Sequence, residues 1–149
     1  MTTRVLVVDD HQPWRISVRT ILKSNPSLLV IAEARDGVEA VEKAVTLRPD
    51  LVLLDIGMPR LNGIEAAKKI RRACPESRII FVTQESDSDI QRAAVETGAS
   101  AYLLKSQAFK LLPTIEAAMR SAKSDLNQPE QTPSEPLQDT AILRTGGWQ

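Results

Sequence analysis

Five short apolar runs alternate with five amphipathic helical patterns along this chain of 149 residues. The runs are residues 5–8, 28–32, 51–54, 79–82 and 101–104. Such alternation is typical of βαβ units that build a parallel sheet. Because the runs are almost continuously apolar, both faces of the sheet must be covered by helices. The sequence therefore predicts an α/β domain with a doubly wound, five-stranded parallel sheet, (βα)5.

Capping residues indicate where individual helices begin and end. Asp36 and Glu39 have the spacing of a capping box, which predicts the start of the second helix. Ser88 with Gln91 predicts the start of the fourth helix, and Gly98 predicts its C-terminal stop. The fifth helix has apolar residues at helical spacing, namely Leu111, Leu112, Ile115, Ala118, Met119 and Ala122.

The composition of the chain changes after about Ser124. Pro129, Pro133 and Pro136 stand among Gln, Glu, Ser and Thr, with few sizeable apolar residues. Such a segment buries too little apolar surface to order itself. We therefore predict a domain over residues 1–124 and a Pro/Gln-rich tail or linker over residues 125–149. The tail is expected to be disordered or partly ordered, with a short partner-binding segment as the alternative.

Charge and cysteine content exclude several classes of protein. The chain has 19 basic and 19 acidic residues, so its net charge gives no general attraction to nucleic acid or anionic lipid. Cys74 is the only cysteine, which rules out a disulfide within the chain. No apolar stretch approaches the roughly 18 residues of a membrane span, and no signal-peptide pattern precedes the first strand. We expect a soluble cytoplasmic protein that has no membrane partner.

Polar side chains follow four of the apolar runs at the point where each run ends. Asp9 and Asp10 follow the first run, Asp55 the third, Thr83 the fourth and Lys105 the fifth. Because the carboxyl ends of parallel strands share one edge, where open α/β sheets bind ligands, these groups should line one cleft. Three carboxylates and one ammonium suit a divalent cation together with a phosphoryl group.

A carboxylate in such a cleft can attack phosphorus and form an aspartyl phosphate. Since the phosphoryl group and the acids are all anionic, a Mg²⁺ ion held by carboxylates would be needed to offset the charge. Asp9, Asp10 and Asp55 would supply the oxygens. Lys105 would contact one phosphoryl oxygen, and the Thr83 hydroxyl would donate to another.

Taken one at a time, the candidate residues have plainer interpretations. An aspartate pair after a strand is often only a helix N-cap. Tyr102, at the fifth run, is also explained as a half-buried strand aromatic. His11 has no second His or Cys as a metal-binding partner, and the basic residues 68–72 fit a solvated helix face better than a nucleic-acid site. Trp14 is explained by core packing or by a surface contact near the acidic pair.

Four segments carry a resemblance to a known family. They are Val7-Val8-Asp9-Asp10-His11, Leu54-Asp55-Ile56-Gly57-Met58-Pro59 with Gly63, Phe81-Val82-Thr83, and Gly98-Ala99 through Tyr102-Leu103-Leu104-Lys105. In this order the chain resembles receiver domains of bacterial two-component response regulators, over about residues 4–122. The segment 98–106 is most similar to the NarL/FixJ (LuxR-type) subgroup. The resemblance implies a flavodoxin-like fold with strand order 2-1-3-4-5.

The resemblance also implies a role for each matching acid. Asp55 would be the phosphoacceptor, taking a phosphoryl group from a sensor histidine kinase. Asp9 and Asp10, together with Asp55 and the backbone carbonyl of Gly57, would hold Mg²⁺ or Mn²⁺. The protein would catalyse only its own phosphorylation and dephosphorylation, and would not otherwise be an enzyme.

Three further residues would read out the phosphorylation. Lys105 would bind the phosphoryl group, while Thr83 and Tyr102 would form a switch pair in which the hydroxyl moves and the aromatic ring turns inward. This is a local charge event that biases a bistable element. The resemblance implies signalling through helix four, strand five and helix five. It also implies a homodimer as a further partner, through that face or through helices one and five.

Three features depart from the family pattern. Gln84 follows Thr83 where the family usually has a small residue, and its amide could crowd the phosphoryl group. Ser106 follows Lys105 where many receivers have proline, so a cis peptide is less expected, because a non-proline cis bond costs about 2.5–4 kcal/mol. The NarL/FixJ resemblance implies control of transcription through a DNA-binding output domain. The segment after Ser124 has no helix-turn-helix pattern, which leaves a truncated chain or a lone receiver.

Three other functions remain as alternatives to the signalling receiver. A phosphohydrolase with an aspartate nucleophile would need a second acid two residues later, where this chain has Gly57. A scaffold that works without phosphorylation is suggested only by Gln84. A DNA-binding transcription regulator seen without its output half would show a longer reading frame.

Overall fold

The structure is a computed structural model that describes residues 2–127. Strands and helices alternate along these residues. The elements are β1 Thr3–Val8, α1 Gln12–Leu22, β2 Leu28–Ala34, α2 Gly37–Leu47, β3 Leu51–Leu54, α3 Gly63–Ala73, β4 Arg78–Thr83, α4 Ser88–Val95, β5 Ala101–Leu104, a 3₁₀ helix Lys105–Lys110, and α5 Leu111–Asn127. The five predicted strands are all present. The order of elements is that of a (βα)5 domain.

The strands form one parallel sheet in the order β2-β1-β3-β4-β5. Val8, the last residue of β1, pairs with Leu54, the last residue of β3. On the other side of β3, Leu54 pairs with Phe81, and Thr83 at the end of β4 pairs with Leu104 of β5. This register brings the residues that follow β1 and β3 side by side, at the point where the strand order reverses. The predicted strand order is confirmed.

Successive strand residues pack into two separate hydrophobic cores. Leu6 and Val8 of β1 face one core, whereas Val5 and Val7 face the other. Helices α2, α3 and α4 complete the first core, and α1 and α5 complete the second. A strand that is apolar at every position fits only a sheet covered on both sides, because its side chains alternate between faces. The prediction of a doubly wound sheet is therefore confirmed.

The observed helix caps confirm one capping prediction and correct another. Asp36 caps α2 by accepting a hydrogen bond from the Glu39 N–H at 2.8 Å, while the Glu39 carboxylate bonds the N–H of Arg35. The cap of α4 is Asp87, which accepts from two N–H groups, and Ser88 is the first helical residue. Gly98 follows α4 with a φ of 92°, as expected for a stop signal.

Three boundaries differ from the sequence prediction or lie beyond it. Strand β2 continues to Ala34, two residues past the predicted end at 32. Helix α5 extends to Asn127, so the predicted domain end at 124 falls inside a helix. The 3₁₀ helix after β5 was not predicted, and the peptide bonds of the described residues are all trans, including the bond before Ser106. The predicted tail lies outside the described residues from 128 onward.

Asp36 links α2 to the loop between β3 and α3, and its removal should destabilise the fold. Its carboxylate accepts from the Glu39 N–H and pairs with the Arg60 guanidinium, whose Nε lies 3.1 Å away. We expect Asp36→Ala to lower the free energy of unfolding by about 1–2 kcal/mol, mainly through the lost cap. Arg60→Met should cost less than about 1 kcal/mol, because it breaks only an exposed ion pair.

The same carboxylate gives this loss a pH dependence. The Glu39 N–H and the Arg60 guanidinium hold the pKa of Asp36 below its usual value, against the opposing effect of burial. A carboxyl with a lowered folded-state pKa stabilises the fold above its unfolded pKa and loses that effect as pH falls through the folded one. The difference in the free energy of unfolding between wild type and Asp36→Ala, measured with urea, should thus be larger at pH 7 than near pH 3. Equal differences at both pH values would contradict this assignment.

Candidate functional site

Three carboxylates meet at the carboxyl ends of β1 and β3. One oxygen from each of Asp9, Asp10 and Asp55 lies within 4.8 Å of the others. Asp9 and Asp55 are buried, whereas Asp10 is exposed. Carboxylates packed this closely repel one another, and oxygen ligands of this kind suit Mg²⁺. The three acids thus lie together at the edge of the sheet where the sequence placed them, and their role as metal ligands stays a prediction.

Lys105 places its ammonium against two of these carboxylates. Its Nζ lies 2.8 Å from Asp9 Oδ2 and 3.7 Å from Asp55 Oδ2. The buried Oδ2 of Asp9 thus has this ammonium as its charge partner and no hydrogen-bond donor besides it among the described residues. Because Asp9 and Asp55 share one ammonium and Asp10 lies beside them, the cluster keeps a net negative charge that a divalent cation would offset.

The end of β5 and the first turn of α1 hold Lys105 in place. The Leu104 N–H donates to the Gln107 side-chain oxygen at 3.1 Å, which closes the start of the 3₁₀ helix that Lys105 opens. The face of the Trp14 ring lies 5.3 Å from Lys105 Nζ, in a cation–π contact. Trp14 also packs against the α1–α5 core, so both interpretations of this residue are observed.

Burial and the charge of Asp9 raise the pKa of the Asp55 carboxyl. Hydrogen bonds from the Thr83 hydroxyl and the Ile56 N–H, together with the charge of Lys105, act in the opposite direction without cancelling the rise. The Ile56 N–H donates to Asp55 Oδ1 at 2.8 Å. A divalent cation among these oxygens would favour the ionised, nucleophilic form of Asp55.

Gly63 fixes how the chain leaves β3 after Asp55. A Cβ atom at Gly63 would lie 1.9 Å from the Asp55 carbonyl oxygen, and its N–H donates to the Ile56 carbonyl at 2.8 Å. The first turn of α3 can therefore approach the end of β3 only without a side chain. Gly57, between them, is exposed, and a Cβ there would meet no atom within 4 Å.

Thr83 and Tyr102 bind the same backbone segment from two sides. The Glu85 N–H donates to Thr83 Oγ1 at 3.2 Å, and the Tyr102 hydroxyl donates to the Glu85 carbonyl at 2.6 Å. The Tyr102 side chain is turned inward and only 6% exposed, with its ring 6.2 Å from that of Phe81. Burial, followed by the charges of Glu85 and Asp55, raises the pKa of Tyr102 to about 12. The phenol is therefore a hydrogen-bond donor at neutral pH.

The structure brings together most of the predicted site and adds residues that the sequence did not indicate. Gln84 and Ser106 are both exposed. The residues missed by sequence reasoning are Arg15, Glu33 and Glu85. Arg15 is buried and contacts the Asp9 backbone, and Glu85 joins the two switch residues. The sequence offered one signal for the role of Arg15. It is the presence of a basic residue in the first helix together with an acid, Glu33, at the end of the second strand.

Comparison with known proteins identifies the family of the chain. The family described as response regulator receiver domain matches residues 5–116. The chain is 42% identical over 118 residues to the transcriptional regulatory protein LiaR of Bacillus subtilis, covering 78% of this chain and 56% of that protein. It is 36% identical over 102 residues to DegU of Brevibacillus brevis, with coverages of 68% and 43%. The chain thus spans about half the length of these curated relatives.

Solved structures show the same fold. The response regulator domain of Thermotoga maritima CheB superposes with a TM-score of 0.75 at 38% identity, covering 80% of this chain and 98% of that one. A LuxR-family two-component response regulator from Aurantimonas sp. gives 0.77 at 35% identity, with coverages of 81% and 87%. Within residues 2–127 no helix has the length and apolar character needed to cross a membrane. Sequence, fold and acidic cluster agree, and the chain belongs to the receiver domain family of two-component response regulators.

Proposed function

We propose that this receiver domain accepts a phosphoryl group on Asp55 from a sensor histidine kinase in the bacterial cytoplasm. The cluster of Asp9, Asp10 and Asp55 beside Lys105 is the observation that carries the proposal. An Asp55 carboxylate oxygen attacks phosphorus, and the bond between phosphorus and the histidine nitrogen of the kinase breaks. The nitrogen takes the electron pair, and an acyl phosphate forms on Asp55.

The donor set fits Mg²⁺ or Mn²⁺ as the cofactor of this transfer. Asp9, Asp10 and Asp55 would hold the ion with the backbone carbonyl of Gly57, and two of these three acids, Asp9 and Asp55, share the single ammonium of Lys105. When bound, the ion supplies positive charge that offsets the repulsion between the acids and the incoming phosphoryl group. Lys105 provides the fixed ammonium that contacts one phosphoryl oxygen.

The switch that follows phosphorylation would use Thr83 and Tyr102. In this structure Thr83 Oγ1 accepts from the Glu85 N–H at 3.2 Å. In this proposal the Thr83 hydroxyl turns towards the phosphoryl oxygens after phosphorylation and releases that N–H. The Glu85 carbonyl accepts from Tyr102, whose ring is already inward, so a shift of the segment between β4 and α4 would act on the ring through this hydrogen bond. The α4–β5–α5 face would then change its partners, including a second copy of the chain.

The output of the signal is proposed to be control of transcription. LiaR and DegU are named as transcriptional regulatory proteins, and this chain matches about half of each. Contact with DNA would therefore be made only by an output domain joined to such a receiver. Gly57 offers no side-chain acid at the position where an aspartate-based phosphohydrolase needs one, so turnover of other phosphate esters is not part of this function.

Phosphoryl uptake from acetyl phosphate tests the proposal directly. We expect the full chain to gain the mass of one phosphoryl group in Mg²⁺, and none when EDTA removes the metal. Asp9→Asn should lose most of this uptake, because it removes a negative charge and a ligand oxygen from the cluster. It should also lose the increase in the free energy of unfolding that Mg²⁺ gives wild type, which amounts to about 2.7 kcal/mol when the ion is at 100 times its Kd. Equal uptake with and without metal would refute the proposed chemistry.

A further inference from the structure

Arg15 is a buried cation that the proposed phosphoryl transfer does not use. It lies in the first turns of α1, and only 8% of its surface is exposed. Its NH1 donates to the backbone carbonyl of Asp9 at 2.7 Å, and its Nε donates to Glu33 Oε1 at 2.8 Å. A buried guanidinium is tolerated only when its donors are bonded and its charge is paired, and these two contacts meet both needs.

Glu33 orients the Arg15 guanidinium. This carboxylate, on β2, binds Arg15 through one oxygen and Arg19 through the other, at 2.8 and 2.7 Å. Although burial raises it, the two guanidinium groups lower the pKa of Glu33 overall, so the pair stays charged at neutral pH. Glu33 therefore fixes one edge of the guanidinium while the other edge donates to the Asp9 carbonyl.

The hydrogen bond from Arg15 is one of three that hold Asp9 in place. The Asp9 N–H donates to the Ala34 carbonyl at 3.0 Å, which extends the β1–β2 pairing by one residue. Asp9 Oδ1 accepts from the His11 N–H at 2.9 Å. The carbonyl of Asp9 accepts from Arg15. The backbone orientation at Asp9 determines where the carboxylates of Asp9 and Asp10 point.

We infer that Arg15, oriented by Glu33, is a positioning residue that sets the affinity of the Asp9–Asp10–Asp55 cluster for its divalent cation. It acts on the metal through the Asp9 carbonyl and does not touch the ion. The inference rests on the proposed function, because it assumes that the cluster binds Mg²⁺. Groups that orient metal ligands typically change affinity by about 10-fold to 100-fold when they are removed.

Two arginine variants of the full chain test this role as a matched pair. Arg15→Met loses both the Asp9 and the Glu33 contacts, whereas Arg19→Met loses only the exposed Glu33 contact. Titration calorimetry with MgCl₂ should give an affinity about 10-fold to 100-fold weaker for Arg15→Met. Arg19→Met should stay within about 2-fold of wild type, since it does not contact Asp9. Equal Mg²⁺ affinity of wild type and Arg15→Met would overturn the inference.

The Mg²⁺ dependence of phosphoryl uptake separates positioning from loss of structure. With Arg15→Met, uptake from acetyl phosphate should be slow at low Mg²⁺ and approach the wild-type rate at high Mg²⁺. A defect that persists at saturating Mg²⁺ would assign Arg15 a merely structural role. Arg15→Lys, which can bond one acceptor at a time, should fall between wild type and Arg15→Met. If Arg15→Met does not fold, Glu33→Gln decides the matter, because unchanged Mg²⁺ affinity in that variant would overturn the inference.

Failure of the proposed function gives a different pattern. A wild-type chain that binds Mg²⁺ but takes up no phosphoryl group would refute phosphorylation and leave the role of Arg15 intact. A wild-type chain that binds no Mg²⁺ would refute both.

Discussion

Asp55→Asn is expected to take up no phosphoryl group from acetyl phosphate and Mg²⁺ under conditions in which wild type takes up one. The substitution keeps the shape of the side chain and replaces one nucleophilic oxygen with an amide nitrogen. An amide is too weak a nucleophile to attack phosphorus. Intact mass measured after equal reaction times checks the result, and peptide mapping of the wild-type product should place the group on the segment that contains Asp55.

Asp50→Asn provides the matched control for this experiment. Asp50 immediately precedes the first residue of β3, whereas Asp55 follows the last. The Asp50 carboxylate accepts from the Arg4 N–H at 2.8 Å. The same chemical change is thereby made at the opposite edge of the sheet, and uptake should match that of wild type. Stoichiometric uptake by Asp55→Asn would refute Asp55 as the acceptor and direct attention to Asp9 or Asp10.

The stability of Asp55→Asn gives a second readout with a known sign. The folded protein raises the pKa of this carboxyl, so ionised Asp55 opposes folding at pH 7. Removing the charge should keep or raise the unfolding midpoint in EDTA, while Lys105 retains its pair with Asp9. A large loss of stability would mean that Asp55 supports the fold.

Gly63→Ala is expected to lower the free energy of unfolding by about 3 kcal/mol, at the upper end of what overpacking usually costs. The new Cβ would lie 1.9 Å from the Asp55 carbonyl oxygen and 2.8 Å from the Ile56 Cα, so α3 and the end of β3 must separate. Alanine favours a helix over glycine by only about 1 kcal/mol, which does not offset this clash. Because the displaced backbone carries Asp55, phosphoryl uptake should also slow.

Gly57→Ala makes the same change six residues earlier in the chain, in open space. Its Cβ would meet no atom within 4 Å, so its stability should stay within about 0.5 kcal/mol of wild type. Urea unfolding of the two variants side by side measures the difference. Similar stabilities for both would show that the α3–β3 approach is looser than the structure indicates.

The sheet and the acidic cluster could be predicted because each depends on a short-range pattern. Apolar runs locate the strands, and parallel strands bring Asp9, Asp55 and Lys105 to one edge. The end of β2 was misplaced because Glu33 is polar, although it pairs with Val7 in the sheet and is balanced by two arginines. That balance is invisible in the sequence, since its partners lie 18 and 14 residues away.

Other features depend on backbone conformation and could not be predicted from residue type. Asp87 and Ser88 are both good caps, and only the extended φ and ψ at Asp87 decide between them. The link between Thr83 and Tyr102 uses the main-chain N–H and C=O of Glu85, so the identity of the residue at position 85 does not predict it. The 3₁₀ helix differs, because its start is closed by the Gln107 side chain, but glutamine is common in many conformations and does not by itself indicate this one.

The main-chain link between Thr83 and Tyr102 has a consequence for how this domain can evolve. Since the N–H and C=O of residue 85 carry the coupling, nineteen of the twenty amino acids are compatible with it, and only proline, which has no N–H, removes the hydrogen bond to Thr83. The side chain at position 85 takes no part in these two hydrogen bonds, and its charge acts on Tyr102 by helping to raise the pKa of the phenol. Selection can change its charge and size to suit new partners while the switch behind it is inherited intact.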